Sequence, residues 1–370
     1  MPNPLSQVSL ERLRQRTSVK WREFPDDVLP LWVAEMDVDP AEPIRRAIVD
    51  ALDLGDTGYP AGTACQEALA AFAKQRWDWD LPVGRTALVS DVMLGAVELI
   101  KLVSGPCAPV IVSPPVYPPF YLFVRSTGRA VVEAPLRNGR LDLDVLERTF
   151  RHVKADRPVY LLCNPQNPTG TVHTAEELTA LAGLAAHHGV RVIADEIHAP
   201  LVSGSTRFVP YLSVDPQGMS LMSASKGWNL AAMRVAVAIS NTDELDRLPE
   251  EVSHGPSHFG AIAHAAAFRE GGEWLDSLLQ GLDENRKLLK DLLTEHLPEI
   301  GYEPSKATFL AWLDCRAVSD DPAAFFLERG RVALMSGAGF GSGGEGHARL
   351  NIGTSPEIVT EAVLRMAASR

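Results

Sequence analysis

Cysteine is scarce and scattered. The 370 residues hold four, Cys65, Cys107, Cys163 and Cys315. No C-x-x-C pair and no metal-ligand spacing occurs among them. Such usage argues for reduced thiols in a cytosol and against a disulfide frame. Basic charge is also in deficit, with 35 Lys and Arg against 47 Asp and Glu, a net charge of −12 and a pI of about 5.3. Nucleic-acid phosphates need a basic surface, so that partner is excluded, whereas a small anion in a local positive pocket is not. No apolar run is long enough to span a bilayer. The polar, arginine-bearing start of the chain lacks the apolar centre of a signal peptide. The expectation is a soluble, cytoplasmic protein without a membrane contact.

What is present is an ordinary globular balance, 46% hydrophobic and 22% charged, in a chain long enough for roughly two domains. Residues 1–30 are polar and irregular, and an extended apolar segment follows at Leu31–Asp37. Helical spacing of Ile44, Ala47, Ile48, Ala51 and Leu52 gives one buried stripe. Gly55 to Gly62 reads as a loop, and a second helix is expected from Cys65 to Trp77.

From about residue 86 to 240, short β-rich runs alternate with helical ones. Strands are expected at Ala87–Ser90, Pro109–Ser113, Ala130–Ala134, Val159–Cys163, Val190–Ala194, Ser220–Ser223 and Val235–Ser240. Helices should begin near Leu94, Tyr117, Leu143 and Thr174, the last with a capping box from Thr174 and Glu177. This alternation predicts an α/β fold, a mostly parallel sheet covered on both faces as a three-layer sandwich. Ligands of such sheets bind at the C-terminal strand ends. A long helix is expected from Glu273 to about Leu297. Beyond it a smaller α/β unit is expected, with strands Phe309–Asp314, Val332–Met335 and Ala348–Ile352 and a last helix opened by Ser355 and Pro356. The chain thus divides into 1–50, joining the smaller domain, 51–270 as the large domain, and 271–370 as the small one.

Three polar motifs sit at strand ends. The first is Ser223-Ala224-Ser225-Lys226, after the apolar run Met219–Met222, with Arg234 eight residues on. A lysine whose charge is disfavoured by desolvation becomes a nucleophile, and Schiff-base chemistry with pyridoxal phosphate (PLP) is what most needs one. The second is Asn164-Pro165-Gln166-Asn167-Pro168-Thr169-Gly170, and the third Ala194-Asp195-Glu196-Ile197-His198. Alone, each would pass for a surface loop, a turn or a capping aspartate. Together, in the chain order Asn164–Gly170, Ala194–His198, Ser223–Lys226 and at this spacing, they resemble the fold-type I PLP enzymes of the aspartate aminotransferase superfamily. Within it the chain looks most like the cystathionine β-lyase (C–S lyase) branch. The markers are Leu-Pro-Leu-Trp-Val-Ala-Glu-Met-Asp (29–37), Gly58-Tyr59, His198 and Arg349-Leu350-Asn351. Departures from the branch pattern are Glu35, Gln166, Thr171, His173 and Gly353-Thr354-Ser355.

That resemblance implies roles. Lys226 would carry PLP and later move the substrate's α-proton. Asp195 would keep the pyridine nitrogen protonated, Asn167 would bond the ring's phenolate oxygen with His198 nearby, and Tyr117 would stack on the ring. The phosphate would sit on N–H groups near Met93 and Leu94, completed by Ser223, Ser225 and Arg234. Tyr59 would come from the neighbouring subunit of a homodimer, making the active site shared. Arg349 would clasp the carboxylate of an amino-acid substrate, beside Ala34 and Asn167. Loss of a thiolate from the β-carbon would make the enzyme a C–S lyase; return of the proton to the cofactor would make it an aminotransferase. Two rivals remain. One is a dinucleotide site at Gly339-Phe340-Gly341-Ser342-Gly343-Gly344, which lacks the helix that should follow it. The other is a non-catalytic member acting through a partner, against which the intact Lys226, Asp195, Asn167 and Arg234 argue.

Overall fold

The computed structural model describes residues 1–370. Twelve strands are present: β1 Leu29–Pro30, β2 Thr86–Val89, β3 Val110–Val112, β4 Val131–Glu133, β5 Val159–Cys163, β6 Arg191–Asp195, β7 Met219–Met222, β8 Ala236–Ser240, β9 Leu310–Asp314, β10 Val332–Ala333, β11 Met335–Ser336 and β12 His347–Asn351. A seven-stranded sheet runs β2-β8-β7-β6-β5-β3-β4. Four neighbour pairings are parallel, and β8 is antiparallel to both β7 and β2.

Why the sheet is covered on both faces follows from side-chain alternation along each strand. Val110, Val112, Val159, Leu161 and Ile193 point into one core with the helices Val92–Val103 and Pro119–Ser126. Ile111, Tyr160, Leu162, Val192 and Ala194 point into another, with the helices Leu143–His152 and Ala175–His188. The result is a three-layer α/β sandwich. Local signals set the helix bounds. The Thr174 hydroxyl accepts from Glu177 N–H at 3.2 Å, while the Glu177 carboxylate accepts from Thr174 N–H at 2.8 Å. Gly189, at φ +66°, ends that helix in the left-handed conformation that glycine adopts without strain.

A second, antiparallel sheet of order β11-β12-β9 is built from the C-terminal third. The single strand expected at Val332–Met335 is split. Val332 and Ala333 pair in parallel with Leu29 and Pro30, whereas Met335 and Ser336 pair with β12. The largest apolar core joins the N-terminal segment to this sheet and to the helices Ala64–Trp77, His258–Glu270, Gly272–His296 and Pro356–Ala368. No helix is long and apolar enough to cross a membrane.

Residues 32–37 form a strap between the two sheets. Asn351 donates from one amide nitrogen to the carbonyls of Val33 (2.7 Å) and Glu35 (2.6 Å). From the other side, Asn229 holds both the N–H (2.8 Å) and the carbonyl (2.9 Å) of Met36. Asn229 itself sits at φ +57°, a conformation asparagine tolerates better than most residues. Below the strap, Lys20 and Asp37 form an ion pair at 2.8 Å with both side chains 1% exposed. Trp21 Nε1 donates to the same carboxylate at 3.1 Å. Removing either charge would strand the other in the core, at a cost of about 3–5 kcal/mol.

Candidate active site

The C-terminal ends of β5, β6 and β7 open onto a cavity of about 250 Å³. Register explains the convergence. Cys163 at the end of β5 pairs with Asp195 at the end of β6, and Asp195 with Leu221 of β7. Asp195 stands two residues after Ile193, so its carboxylate projects from the same sheet face. That face is also where the helix Val92–Val103 begins. Lys226 follows β7 after a short turn. Of the residues singled out in the sequence, Ala34, Met93, Tyr117 and Asn167 line the cavity, as do Asp195, His198, Ser225 and Lys226.

Electrostatics differ sharply from solution. Burial lowers the Lys226 ammonium from its ordinary value to about 8, and the Arg349 charge acts in the same direction. Its Nζ donates to the Ala34 carbonyl at 3.0 Å. The Asp195 carboxyl is pushed up to about 7 by burial, against the pull of the Ile197 N–H and of Lys226. Its only hydrogen bond within the chain comes from Ile197 N–H at 3.1 Å. His198 is pushed down to about 3 by burial, so its imidazole is neutral. Its Nδ1 is buried without a partner. Since the neutral amine is the nucleophilic form, Lys226 should gain reactivity as pH rises. Modification by trinitrobenzenesulfonate, followed by peptide mass mapping, is expected to reach half its plateau rate near pH 8. A midpoint at the ordinary lysine value of about 10.4 would count against this environment.

Arg349 lies just behind the cavity wall, 2% exposed, and burial lowers it to about 10. It has no carboxylate partner. Nη1 donates to Asn167 Oδ1 at 3.0 Å, Nη2 to the Trp32 carbonyl at 3.2 Å, and Nε is buried without a partner. The bond to Asn167 fixes that amide's orientation and leaves its N–H₂ free to donate toward the cavity. Phe340 covers the guanidinium, 5.2 Å from the ring centroid.

The loop carrying Asn167 is braced from several sides. Gln166 Nε2 donates to the carbonyls of Ser113 (3.1 Å) and Pro115 (2.8 Å), which fixes the turn that presents Tyr117. Gly170, at φ +65°, packs so closely on Ser305 and Ala307 that a Cβ would strike both. Glu196 is buried and accepts from Asn164 Nδ2 (2.9 Å), Tyr211 N–H (2.8 Å) and the Ser220 hydroxyl.

Two candidates, Ser223 and Leu94, lie elsewhere than expected. Ser223 turns inward, donating to the Val235 carbonyl at 2.7 Å and meeting His264 Nε2 at 3.0 Å. It does not line the cavity. Nor does Leu94, whose N–H is already taken by Asp91 Oδ1 at 2.8 Å. That leaves the N–H groups of Val92 and Met93 for an anion. Arg234 is on the rim, its side chain 57% exposed and paired with Asp91. Tyr59 is 82% exposed, edge-on to His254, and contributes nothing to the cavity of its own chain. The glycine run at 339–344 passes from the short 3-10 turn Gly337–Phe340 into a loop and then β12, with no helix for a pyrophosphate.

The donor set fits PLP. A depressed amine suits the aldehyde, and an otherwise unpaired carboxyl suits the pyridine nitrogen. A free amide N–H suits the phenolate oxygen, Tyr117 offers a ring, and helix N–H groups with Ser225 and Arg234 suit the phosphate.

Comparison with known proteins shows the family and the fold. The family model for aminotransferase class I and II matches residues 26–366. A provisionally named cystathionine beta-lyase of Mycobacterium leprae is 54% identical over 98% of this chain and 97% of its own. The cystathionine beta-lyase of Corynebacterium glutamicum is 35% identical over 97% of this chain and 98% of its own. A crystal structure from Corynebacterium diphtheriae, provisionally described as a PLP-dependent beta-cystathionase, superimposes with a TM-score of 0.92 at 34% identity, covering 97% of both chains.

Proposed function

The chain belongs to the class I and II aminotransferase family, and from that premise we propose that it is a PLP-dependent carbon–sulfur β-lyase. Its substrate would be cystathionine or a related cysteine S-conjugate. With one water, this gives a thiol, pyruvate and ammonia. The observation that carries the reading is the meeting of the Lys226 amine, the Asp195 carboxyl and the Asn167 amide in one cavity, with Arg349 bonded to Asn167 from behind.

Bound there, PLP supplies an aldehyde for the substrate's amino group and a ring that accepts the electron pair left at Cα. The rest falls to side chains. Arg349 offers its fork to the substrate carboxylate, and Asn167 keeps that fork aimed. Asp195 would hold a proton at the ring nitrogen, a charge-assisted bond worth roughly 1.5–3 kcal/mol. The Asn167 N–H₂ would donate to the phenolate oxygen, and neutral His198 lies in the same wall. Tyr117 would offer its ring to the cofactor's. Lys226 Nζ takes the Cα proton and, once protonated, is the acid at hand for the departing sulfur. Ala34 of the strap closes part of the cavity wall.

The neighbouring reading is transamination. Near full-length likeness to named cystathionine beta-lyases favours the lyase. Product analysis decides between them. Cystathionine is expected to yield pyruvate, ammonia and free thiol with no added keto acid, and turnover only with a keto acid would replace the lyase by a transferase.

A homodimer belongs to the same proposal, with Tyr59 of the partner subunit completing the phosphate site. In support, Leu52, Leu54 and Tyr59 are large apolar side chains exposed along one helix end and its following loop. The proposal also keeps residues 51–270 as the cofactor-binding domain and 271–370, with 1–50, as the smaller one. Four free cysteines, three of them buried, favour a reducing cytosol.

A further inference from the structure

Asp91 carries no role in the reading above, yet it touches the helix N-terminus and the guanidinium proposed to hold the cofactor's phosphate. It is the N-cap of the helix Val92–Val103, with φ −164° and ψ 174°. Its Oδ1 accepts from Leu94 N–H at 2.8 Å. Its Oδ2 pairs with Arg234 Nη2. It also lines the cavity beside Met93, Ser225 and Lys226. Every positive element assigned to the phosphate thus has a carboxylate of the chain as neighbour.

We propose that Asp91 is an internal anion that competes with the PLP phosphate for Arg234 and for the helix N-terminus, and so sets how firmly the cofactor is held. The proposal rests on the reading of this cavity as a PLP site. Its physical basis is charge. The phosphate carries about −1.5 to −2 near neutral pH, and one guanidinium cannot fully satisfy both it and a carboxylate. Releasing Arg234 is cheap, because an exposed ion pair contributes little. Asp91 itself cannot leave, since it caps the helix. Its charge therefore stays beside the bound phosphate, in a partly buried wall where repulsion is weakly screened. The consequence is a cofactor that binds less tightly than the donor set alone would allow, and that exchanges.

Asp91→Asn tests this directly. Asparagine keeps the oxygen that caps Leu94 and removes only the charge. Asp91→Ser is the second variant, again capping without charge, should the first fold poorly. PLP affinity is measured by fluorescence titration of the full chain after cofactor depletion, with thermal unfolding as the folding control. Both variants are expected to bind PLP roughly tenfold tighter or more, and inorganic phosphate should displace PLP from them at correspondingly different concentrations. Equal or weaker PLP binding by the folded variants overturns the proposal while leaving the enzyme assignment intact. Failure of wild type and variants alike to bind PLP overturns the assignment, and this proposal with it.

Discussion

Lys226→Ala is expected to abolish thiol and pyruvate release, by about 10³-fold or more, the scale of losing a positioned acid–base group. The loss should be chemical, not structural. Lys226 donates one hydrogen bond, to the Ala34 carbonyl, and the strap that carries this carbonyl is held independently by Asn229 and Asn351. Unfolding midpoints should therefore stay close to wild type. Borohydride treatment of the wild type in the presence of PLP should fix the cofactor to residue 226, as read by peptide mass. The variant should bind PLP without being fixed, and small exogenous amines should restore part of its turnover. Ordinary activity in the variant, or fixation at another lysine, would contradict the assignment.

The second large effect is expected at Arg349. A buried guanidinium without a carboxylate partner is costly, and burial already lowers it to about 10. A substrate carboxylate would relieve that cost. Arg349→Ala is expected to lose roughly 2–5 kcal/mol of transition-state binding, at least about 30-fold in kcat/KM, mainly through KM. Arg349→Lys should fall between, because it keeps the charge and loses the two-pronged geometry. A thioether amine lacking the carboxylate gives the control. Its slow turnover should be similar in wild type and variants if Arg349 reads the carboxylate. An equal loss on that analogue would mean that Arg349 serves only to brace Asn167 and Trp32.

Much of this is legible in the sequence. The seven strands of the main sheet announce themselves because apolar runs such as Val159–Cys163 are buried on both faces, and glycine, proline and capping residues punctuate them. Thr174 and Glu177 mark their helix start unaided. What stayed hidden depends on distant partners. Leu29–Pro30 has too few residues to look like a strand and becomes one only by pairing with Val332–Ala333. Ala333 ends one pairing and Met335 begins another, with Leu334 alone between them, which no local pattern records. Ser223 looks like a phosphate ligand in its motif, yet His264 and the Val235 carbonyl draw it inward. Asp91 escapes the motif pattern although its signal is local, an aspartate directly before an apolar helical run. The antiparallel β8 was not foreseen, because strand direction is a property of connections more than of composition.

The strap carries one further consequence, for synthesis. Residues 32–37 leave the ribosome early, but apart from Lys20 and Trp21 the atoms that hold them come from residues 226–229 and 349–353. Translation must be almost finished before Trp32, Val33 and Glu35 meet Arg349 and Asn351. Contacts so far apart in sequence close slowly. A nascent chain halted between β8 and β12 would carry a main sheet and a reactive lysine, but no floor under them. Competence should therefore arrive in one late step, and stalled chains should be the form that proteases and chaperones meet.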